Sequence, residues 1–349
     1  MTGFRIEKVS TIDCSDLVDP GDDTHLVAVH GAGLVGWYGP VSAATAALVE
    51  GCIGQLAVGS RVVDHDGLAV RLRRELGPQA GALTSWAVGA LDCAAWDLHG
   101  RAEQRPVAEL LGSVPARTDA AAYASWLRLD ISDVANGDAI RGLADRGWQF
   151  TKWGLRADPR LTADADAERL MKLIQWVSDT AAARSAFDAL WTWNSTLTAK
   201  MAGIADLTAL VWVEEPLADY DQVDYAEVLA GAMPLALGER LTFGDDPTWL
   251  LDRQPAAFTP DVVGCGGLTA AVGLVQLARA AGVPVYPHGR SLLPALHLAA
   301  AYPDVIPAVE YQVQWEPRRQ RLFTDPIEHS TGRIHVPQTP GLGPVPRRS

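Results

Sequence analysis

From about residue 119 onward, short apolar segments alternate with longer segments whose apolar residues recur every three or four positions. The short segments predict strands and the longer ones predict helices. One helix is predicted for LTAAVGLVQLARAAG, which Gly282 ends, with Pro284 just beyond. Eight strand cores follow one another in the order AAYASW, QFTKW, SAFDALW, VWVEEP, PLALGER, FTPDVV, VPVYPH and VIPAVEY. Eight such units predict an α/β fold of the (β/α)₈ or TIM-barrel type.

The first 115 or so residues follow a different pattern, in which strand-like segments precede helical ones. Strands are predicted for FRIEKVSTID and THLVAVHGAGLVGWYG, and a helix for SWAVGALDCAAWDLHG, with Thr84 or Ser85 as its N-cap. The segment GAGLVG matches a dinucleotide-binding pattern, but the WYGP that follows interrupts the helix such a motif should open. We therefore expect a turn there, within an α+β unit.

Composition and charge narrow the range of functions. Hydrophobic residues make up 48% of the 349 residues and charged residues 20%, which is typical of a globular protein. The net charge of −13 argues against a nucleic-acid partner and against a basic helix on a membrane surface. The sequence has no apolar run long enough to span a membrane, no secretory signal and no CxxC pair. These features predict a cytoplasmic protein with free thiols.

Every predicted barrel strand carries a polar or charged residue near its C-terminal end. In order these residues are Ser125, Lys152, Asp188, Glu214, Glu239, Asp261, His288 and Glu310. In a TIM barrel all eight strand ends meet at one mouth, where the active sites of this fold lie. The spacing therefore predicts that these side chains form one site.

Three carboxylates on successive strands suggest a metal site. Asp188, Glu214 and Glu239 would repel one another at neighbouring strand ends unless a cation lies between them. Oxygen ligands suit Mg²⁺, whereas zinc prefers histidine or cysteine, and the chain has no HExxH motif. The alternative is three separate salt bridges to lysine or arginine on the loops.

An acid–base group is predicted beside the metal. Asp261 and His288 lie on adjacent strands, where a carboxylate fixes the imidazole tautomer and strengthens it as a base, although a histidine in YPHG also fits a purely structural role. Lys152 would act as a base or as a cation for a substrate carboxylate. Glu310 would donate a proton or a hydrogen bond, which requires a raised pKa. Together these groups predict removal of a proton α to a carboxylate, with a divalent ion stabilising the resulting charge.

Several motifs resemble those of the enolase superfamily, in its mandelate racemase-like subgroup. They are ALDCAAWDLHGRAEQRPVAELLG, VEEP, LGER, PDVVGCGGLT, PVYPHG and VEYQ. The resemblance implies a modified (β/α)₇β barrel at 118–325 and an N-terminal α+β capping domain at 1–117 that residues 326–349 complete. It also implies that Asp188, Glu214 and Glu239 bind Mg²⁺, that Asp261 and His288 form the subgroup's dyad, and that Glu310 is the glutamate of the eighth strand.

The chain departs from the subgroup's pattern at two positions. Gly154 stands where a second inward-facing lysine is usual, and Leu190 stands where an asparagine is usual. Racemisation needs proton-transfer groups on opposite faces of the substrate, so the first departure favours dehydration. Arg156 would supply part of the missing charge unless it lies on the loop, and Asn194 would replace the missing amide. The substrate contacts predicted from all these considerations are Ser125, Arg156, Trp191, Asn194 and Arg240.

The sequence and the resemblance together suggest a Mg²⁺-dependent dehydratase of aldonic or aldaric acids, a lyase of carbohydrate catabolism, with His288 as base. The alternatives are a racemase or epimerase of a 2-hydroxy acid that uses Lys152 on the opposite face, and a non-catalytic protein that binds sugar acids. A cycloisomerase is less favoured, because that branch usually carries lysines on both sides. We expect a homo-oligomer, a pocket lined by Trp153, Trp191 or Trp315, and specificity loops near Asp19 to His25 and around residues 51–60.

Overall fold

The computed structural model describes residues 4–19, 23–77, 81–112, 116–204, 207, 209–218, 225, 228–327 and 329–347. The N-terminal unit contains an antiparallel sheet of β1 (Lys8–Asp13), β2 (His25–Gly31) and β3 (Leu34–Val41). Ala32 and Gly33 join β2 to β3 with φ angles of 48° and 75°, as a two-residue hairpin turn requires. GAGLVG is therefore a turn and its continuation into a strand.

The N-terminal unit also contains helices. They are α1 (Ala43–Leu48), α2 (Gly54–Ala57), α3 (His65–Leu76), α4 (Ala82–Glu103) and α5 (Val107–Leu111), with a π-helical segment at Val49–Ile53. The predicted N-cap of α4 is wrong, because Gly81 holds that position. Ser85 is instead buried one turn inside the helix, where its Oγ lies 3.0 Å from the Gly81 oxygen and accepts a hydrogen bond from the Phe243 amide.

The rest of the chain forms the predicted barrel. Its strands are β4 (Asp119–Trp126), β5 (Thr151–Gly154), β6 (Ser185–Asp188), β7 (Val213–Glu214), β8 (Leu235–Leu237), β9 (Ala257–Phe258) and β10 (Val309–Gln312). Strands β4 to β9 pair in parallel in chain order, and β10 returns to pair with β4. The predicted VPVYPH strand is reduced to one parallel bridge, from Val285 to Phe258. The TIM-barrel prediction is confirmed.

Helices surround the barrel, as the amphipathic segments predict. They are α6 (Gly137–Ala144), α7 (Ala163–Ala181), α8 (Ser195–Ala202), α9 (Thr248–Leu251), α10 (Leu268–Ala281), α11 (Leu292–Ala301) and α12 (Glu316–Arg319), with 3₁₀ turns at Val134–Asn136, Gly289–Ser291 and Gln320–Leu322. Gly282 ends α10 in a left-handed conformation, as predicted. Over the described ranges, no helix combines the length and apolarity that crossing a bilayer requires.

Aromatic side chains fill the barrel below the site. Tyr123, Phe150, Trp212 and Tyr286 pack together, with ring centroids 4.4 Å apart for Tyr123 and Phe150 and 4.9 Å apart for Phe150 and Trp212. Alanines from the other four strand segments complete the layer: Ala186, Ala236, Ala257 and Ala308. Large and small side chains therefore share the narrow interior and form a solid floor under the mouth.

The last described segment contacts both units. Strands β11 (His329–Ser330) and β12 (Arg333–His335) extend the barrel sheet, with β12 antiparallel to the start of β4. Further along, the Gly341 oxygen accepts a hydrogen bond from the Val107 amide of the N-terminal unit. The domain boundaries at 117 and 325 remain predictions.

Helix α4 also packs directly on the barrel. A Cβ atom at Gly89 would overlap the Val263 carbonyl oxygen, so only glycine allows this close approach. Nearby, Asp92 accepts hydrogen bonds from the Thr269 amide at 3.0 Å and the Thr269 hydroxyl at 2.6 Å. The N-terminal unit thus supports the loop over 261–267, which follows β9.

Candidate active site

A buried cluster of opposite charges lies at the barrel mouth. Asp188 and Glu214 end β6 and β7 in register, and Lys152 projects towards them from β5. The Lys152 Nζ atom is 2.8 Å from Glu214 Oε1, 3.1 Å from Glu310 Oε1 and 3.5 Å from Asp188 Oδ2. All four side chains are buried. The predicted meeting of these strand ends is therefore present in the structure.

Burial dominates the electrostatics of the three predicted metal ligands. Removal from water raises the pKa of Asp188 and Glu239, and raises that of Glu214 to about 8. Burial alone would lower the pKa of Lys152, but the charges of Glu214 and Glu310 outweigh it and raise that pKa instead. The cluster therefore holds more carboxylate than its ammonium group balances, a situation that a bound divalent cation would relieve.

Two further contacts position the metal-ligand candidates. The Trp212 indole Nε1 donates a hydrogen bond of 2.9 Å to Glu214 Oε2, so the barrel floor orients this carboxylate. The Glu215 carboxylate accepts hydrogen bonds from the amides of Gly238 and Glu239 at 2.9 and 3.2 Å, which fixes the turn that carries Glu239. Across the described residues, no three histidine, cysteine or acidic side chains already surround a common point as a metal would require.

The predicted dyad is formed. His288 Nδ1 lies 3.0 Å from Asp261 Oδ2, and Asp261 Oδ1 accepts hydrogen bonds from the amides of Val263 and Gly264 and from the Ser291 hydroxyl. Burial alone would raise the pKa of Asp261, but the hydrogen bond from His288 and these donors lower it. Asp261 is therefore an ionised group that holds the imidazole by Nδ1.

The other imidazole nitrogen faces Glu239 and Gln312. His288 Nε2 is 3.5 Å from Glu239 Oε1 and 3.4 Å from Gln312 Nε2. Burial alone would lower the pKa of His288, but Glu239 and Asp261 outweigh it and raise that pKa to about 10. An imidazole held in this way is a strong base once it is neutral.

The proton-donor role considered for Glu310 is not supported. Glu310 Oε2 accepts a hydrogen bond of 2.8 Å from the Gly289 amide, and Oε1 faces Lys152. Burial alone would raise the pKa of Glu310, but the charges of Lys152 and His288 lower it. The group is therefore ionised, because it is paired with a buried ammonium group. Glu310 is therefore an ion-pair partner of Lys152.

A cavity of about 330 Å³ opens above this cluster. Its lining residues are Val18, Asp23, Pro40, Leu127, Asp188, Leu190, Trp191, Glu239, His288, Arg290, Gln312, Trp315, Arg318 and Arg319. Of the predicted substrate contacts, Trp191 lies in this lining, and the Arg240 guanidinium packs over the Trp191 ring at 5.6 Å. Ser125 is fully buried beside Lys152 in the strand register, outside the lining.

Other residues predicted to contact the substrate lie outside this lining. Asn194 is the N-cap of α8, where its Oδ1 accepts a hydrogen bond from the Leu197 amide. Arg156 is exposed, with Nη1 3.5 Å from the Leu127 oxygen. Trp153 faces away from the barrel axis, and its indole Nε1 donates a hydrogen bond to the Thr151 hydroxyl.

The two predicted specificity loops differ in their relation to the cavity. The region around residues 51–60 is largely helical and contributes nothing to the lining. Residues 20–22 of the other proposed loop lie outside the described residues, whereas Val18 and Asp23 line the cavity.

The two departures from the family pattern have a structural explanation. A Cβ atom at Gly154 would lie 2.6 Å from the Leu127 carbonyl oxygen and 3.4 Å from a methyl group of Leu190, so no lysine fits there without a backbone shift. The Leu190 amide donates a hydrogen bond of 2.9 Å to Asp188 Oδ1. The main-chain amide of Leu190 therefore orients Asp188. It donates a hydrogen bond although the side chain of Leu190 cannot.

Sequence reasoning missed four polar residues of the cavity. Gln312 lies two positions after Glu310 on β10, so strand alternation placed it on the same inward face. Arg290, Arg318 and Arg319 lie in short helical turns after the last two strand segments, where no periodic pattern identifies an inward side chain.

Comparison with known proteins finds two family models that match the chain. The family model "Mandelate racemase / muconate lactonizing enzyme, N-terminal domain" matches residues 23–112, and "Enolase C-terminal domain-like" matches residues 136–349. An L-rhamnonate dehydratase from Saccharopolyspora erythraea is 28% identical over 74% of this chain and 65% of its own length. A D-galactarolactone cycloisomerase from Agrobacterium fabrum is 29% identical over 77% of this chain and 73% of its own length.

A solved structure agrees with the whole fold. It is a mandelate racemase/muconate lactonizing protein from Paracoccus denitrificans complexed with magnesium, with a TM-score of 0.83, 25% identity, and coverage of 99% of this chain and 96% of that one. The chain spans just under two thirds of the rhamnonate dehydratase, so the match is to part of that protein. Since the two family models match the N-terminal unit and the barrel in order, the chain belongs to the enolase superfamily, in its mandelate racemase-like subgroup.

Proposed function

We propose that this protein is a Mg²⁺-dependent dehydratase of acid sugars, which converts an aldonate or aldarate to a 2-keto-3-deoxy acid. The observation that carries the proposal is the dyad. His288 is held through Nδ1 by ionised Asp261, and its Nε2 faces a cavity bordered by the carboxylates of Asp188 and Glu239. This is the arrangement that removal of a proton next to a carboxylate requires.

The residues present fit a magnesium ion. Asp188, Glu214 and Glu239 offer only oxygen ligands, and their burial, which raises the pKa of each, makes a bound cation favourable for their ionised forms. Magnesium bound by them would supply a charge that binds the substrate carboxylate and stabilises the negative charge developing on it. The related structure from Paracoccus denitrificans is described as complexed with magnesium, which supports this choice.

The chain's own residues then account for the proton transfers. His288 Nε2 takes the α-proton, while Asp261 stabilises the imidazolium that forms. The β-carbon loses its hydroxyl, which takes the proton from Nε2 and leaves as water. The resulting enol shifts its hydroxyl proton to the β-carbon and becomes the 2-keto acid. Lys152 supplies positive charge among Glu214 and Glu310, and no second base is needed.

The same geometry argues against a racemase or epimerase. Such an enzyme needs a second proton-transfer group, but Lys152 is enclosed by three carboxylates and Gly154 has no side chain. A cycloisomerase is the second candidate, because a D-galactarolactone cycloisomerase is as similar to this chain as the rhamnonate dehydratase. The two activities differ in the substrate consumed, since dehydration releases water from an open-chain acid, whereas a cycloisomerase rearranges a lactone without releasing water.

Proton NMR in D₂O with Mg²⁺ and a panel of aldonates, aldarates and their lactones tests the proposal. We expect loss of one substrate and growth of the C3 signal of a 3-deoxy product. Exchange of the α-proton alone would instead indicate a racemase, and rearrangement of a lactone alone would indicate a cycloisomerase. No reaction with any acid sugar would contradict the proposal and favour a binding protein.

A variant pair assigns the chemistry to the dyad. We expect His288→Asn to abolish turnover while Mg²⁺ binding, measured by calorimetry, stays close to that of the parent protein. His335→Asn is the matched control, because His335 is an exposed residue of β12. Normal turnover in His288→Asn would show that this histidine is not the base.

A further inference from the structure

Gln312 lies between the candidate base and a fixed cation. It is buried on the inward face of β10, two positions after Glu310, and it contributes to the lining of the cavity. Its Oε1 atom accepts a hydrogen bond of 3.0 Å from Arg319 Nη1, and its Nε2 atom lies 3.4 Å from His288 Nε2. None of the proton transfers from His288 described above uses this amide.

Arg319 determines which way round the amide is held. A guanidinium group has only hydrogen-bond donors, so the atom that faces it must be the amide oxygen. The NH₂ group is therefore the end that faces His288 and the cavity. The same Arg319 nitrogen is 3.3 Å from Glu316 Oε2 and 3.4 Å from the Gly289 oxygen, and Gln320 Nε2 donates to Glu316 Oε1 at 2.6 Å. This network holds the guanidinium group in place.

The carbon stem of Gln312 is also tightly packed. A Cβ atom at Gly289 would lie 2.8 Å from the Gln312 Cγ atom and 2.9 Å from the Glu310 carbonyl oxygen, so only glycine allows this close approach. Turning the amide over would place its NH₂ group against the donors of Arg319 and break the hydrogen bond between them. The NH₂ group is thus a preorganised donor beside the base.

The departing hydroxyl group needs such a donor. During elimination the Cβ–O bond breaks, its electron pair goes to the oxygen, and the pair left by the α-proton forms the Cα–Cβ double bond. The oxygen takes its proton from His288 Nε2, so it must lie within hydrogen-bond distance of that nitrogen. Until the proton has fully moved, negative charge develops on this oxygen, and a second donor aimed at it stabilises that charge.

The distances allow Gln312 to be this second donor. Two nitrogens 3.4 Å apart can both hydrogen-bond to one oxygen that lies about 2.9 Å from each of them. Glu239, which is 3.5 Å from the same His288 nitrogen, is a predicted metal ligand and offers only acceptors when ionised. The side-chain NH₂ group of Gln312 therefore fits the departing oxygen, and Glu239 does not.

We propose that Gln312 is a catalytic residue of the elimination step, whose NH₂ group donates a hydrogen bond to the departing β-hydroxyl oxygen. Arg319 is the positioning residue that keeps this donor aimed at the cavity. The inference rests on the proposed function, because it assigns a role within the dehydration of an acid sugar. It divides the reaction between two side chains: His288 removes the α-proton, and His288 together with Gln312 expels the hydroxyl.

The ratio of α-proton exchange to elimination tests this division. With an acid sugar that the parent protein dehydrates, proton NMR in D₂O follows the 3-deoxy product and the deuterium at the α-carbon of the remaining substrate. In Gln312→Met we expect elimination to slow by a factor of about ten or more, because a preorganised donor is lost. Removal of the α-proton should continue, so deuterium accumulates in the unreacted substrate and the ratio rises.

The matched control is Gln175→Met. Gln175 is exposed on α7, where its Nε2 atom donates to Asp179. Its replacement should leave both rates and their ratio at the values of the parent protein. An equal fall of both rates in Gln312→Met would overturn the inference, because Gln312 would then only hold His288 in place. Unchanged elimination in that variant would also overturn it.

A second variant keeps the test decisive if Gln312→Met fails to fold, which circular dichroism would show. Gln312→Glu can still accept the hydrogen bond from Arg319, but it presents a carboxylate oxygen in place of the NH₂ group. We expect a raised ratio of exchange to elimination here as well. A ratio equal to that of the parent protein would show that the reaction needs no donor at this position.

Variants of Arg319 test its positioning role separately. Arg319→Met removes the donor that fixes the amide oxygen, so the amide can turn and the ratio should rise, though by less than in Gln312→Met. Arg319→Lys keeps a cationic donor and should bring the ratio back towards that of the parent protein. A ratio equal to that of the parent protein in Arg319→Met would refute the positioning role.

The parent protein separates failure of the inference from failure of the proposed function. If it eliminates water from no acid sugar, the dehydratase proposal fails and the inference fails with it. If the parent protein eliminates water and the Gln312 variants keep its ratio of exchange to elimination, the inference alone fails. A raised ratio in the folded Gln312 variants, with an unchanged ratio in Gln175→Met, would support it.

Discussion

Replacing Gly89 by alanine tests how closely the N-terminal unit supports the active site. Gly89 lies within α4, where alanine normally stabilises a helix by about 1 kcal/mol relative to glycine. Here the new methyl group would overlap the Val263 carbonyl oxygen. A normal carbon–oxygen contact is about 3.3 Å, so the loop over 261–267 must move away from α4. Overpacking of this kind costs about 1–3 kcal/mol.

We therefore expect Gly89→Ala to lower the free energy of unfolding by about 1–2 kcal/mol, measured from urea midpoints at an unchanged m value. Turnover should fall as well, because the Val263 and Gly264 amides in this loop hold Asp261. Gly273→Ala is the matched control, since Gly273 lies in α10 with open space around its Cβ position. It should gain about 1 kcal/mol. A similar gain in Gly89→Ala would refute the argument.

Three other substitutions test separate parts of the structure. Burial raises the pKa of Asp92 to about 7, so the folded protein binds this proton more tightly than the unfolded chain does. The stability that this shift contributes is complete below about pH 4 and is lost as the pH rises to 7. The stability of Asp92→Asn relative to the parent protein should therefore rise by about 2–3 kcal/mol between pH 5 and pH 7, and parallel urea midpoints would contradict this. Asn194→Ala should lose about 1 kcal/mol of stability through its helix cap and keep its turnover, whereas the opposite pattern would restore it as a substrate contact. Trp212→Phe should weaken Mg²⁺ binding at least tenfold in calorimetry by freeing Glu214, and unchanged affinity would show that this hydrogen bond is dispensable.

The sequence predicted the barrel and the central charges well because both depend on strand periodicity. Asp188 and Glu214 end parallel strands, Lys152 lies two residues before the end of the neighbouring one, and parallel strand ends must meet at one edge of the sheet. Side chains along a strand alternate between inward and outward. Applied to β5 and β10, this alternation would have placed Trp153 outside the barrel and Gln312 inside it.

Strand periodicity could predict neither the loop residues of the cavity nor the ionisation states of the buried groups. Asn194 is typical both of a polar contact and of a helix N-cap, and only the position where α8 begins decides between them. The arginines of α12 enter the cavity because a short helix follows β10, which no periodic pattern marked. Whether Glu310 is protonated depends on its distances to Lys152 and the Gly289 amide, which are properties of the folded chain.

The contacts of the last described segment constrain the order in which the protein acquires its structure during synthesis. Asp97 in α4 accepts a hydrogen bond at Oδ1 from the amide of Leu342, which the ribosome adds 245 residues later. The Oδ2 atom of the same carboxylate accepts one from the Trp37 amide, so a single buried group joins early and late parts of the chain. The pairing between β4 and β12 likewise cannot form until β12 has been synthesised. The N-terminal unit therefore cannot complete its hydrogen bonds while the nascent chain still ends before residue 342, and the final assembly of both units follows the synthesis of this segment.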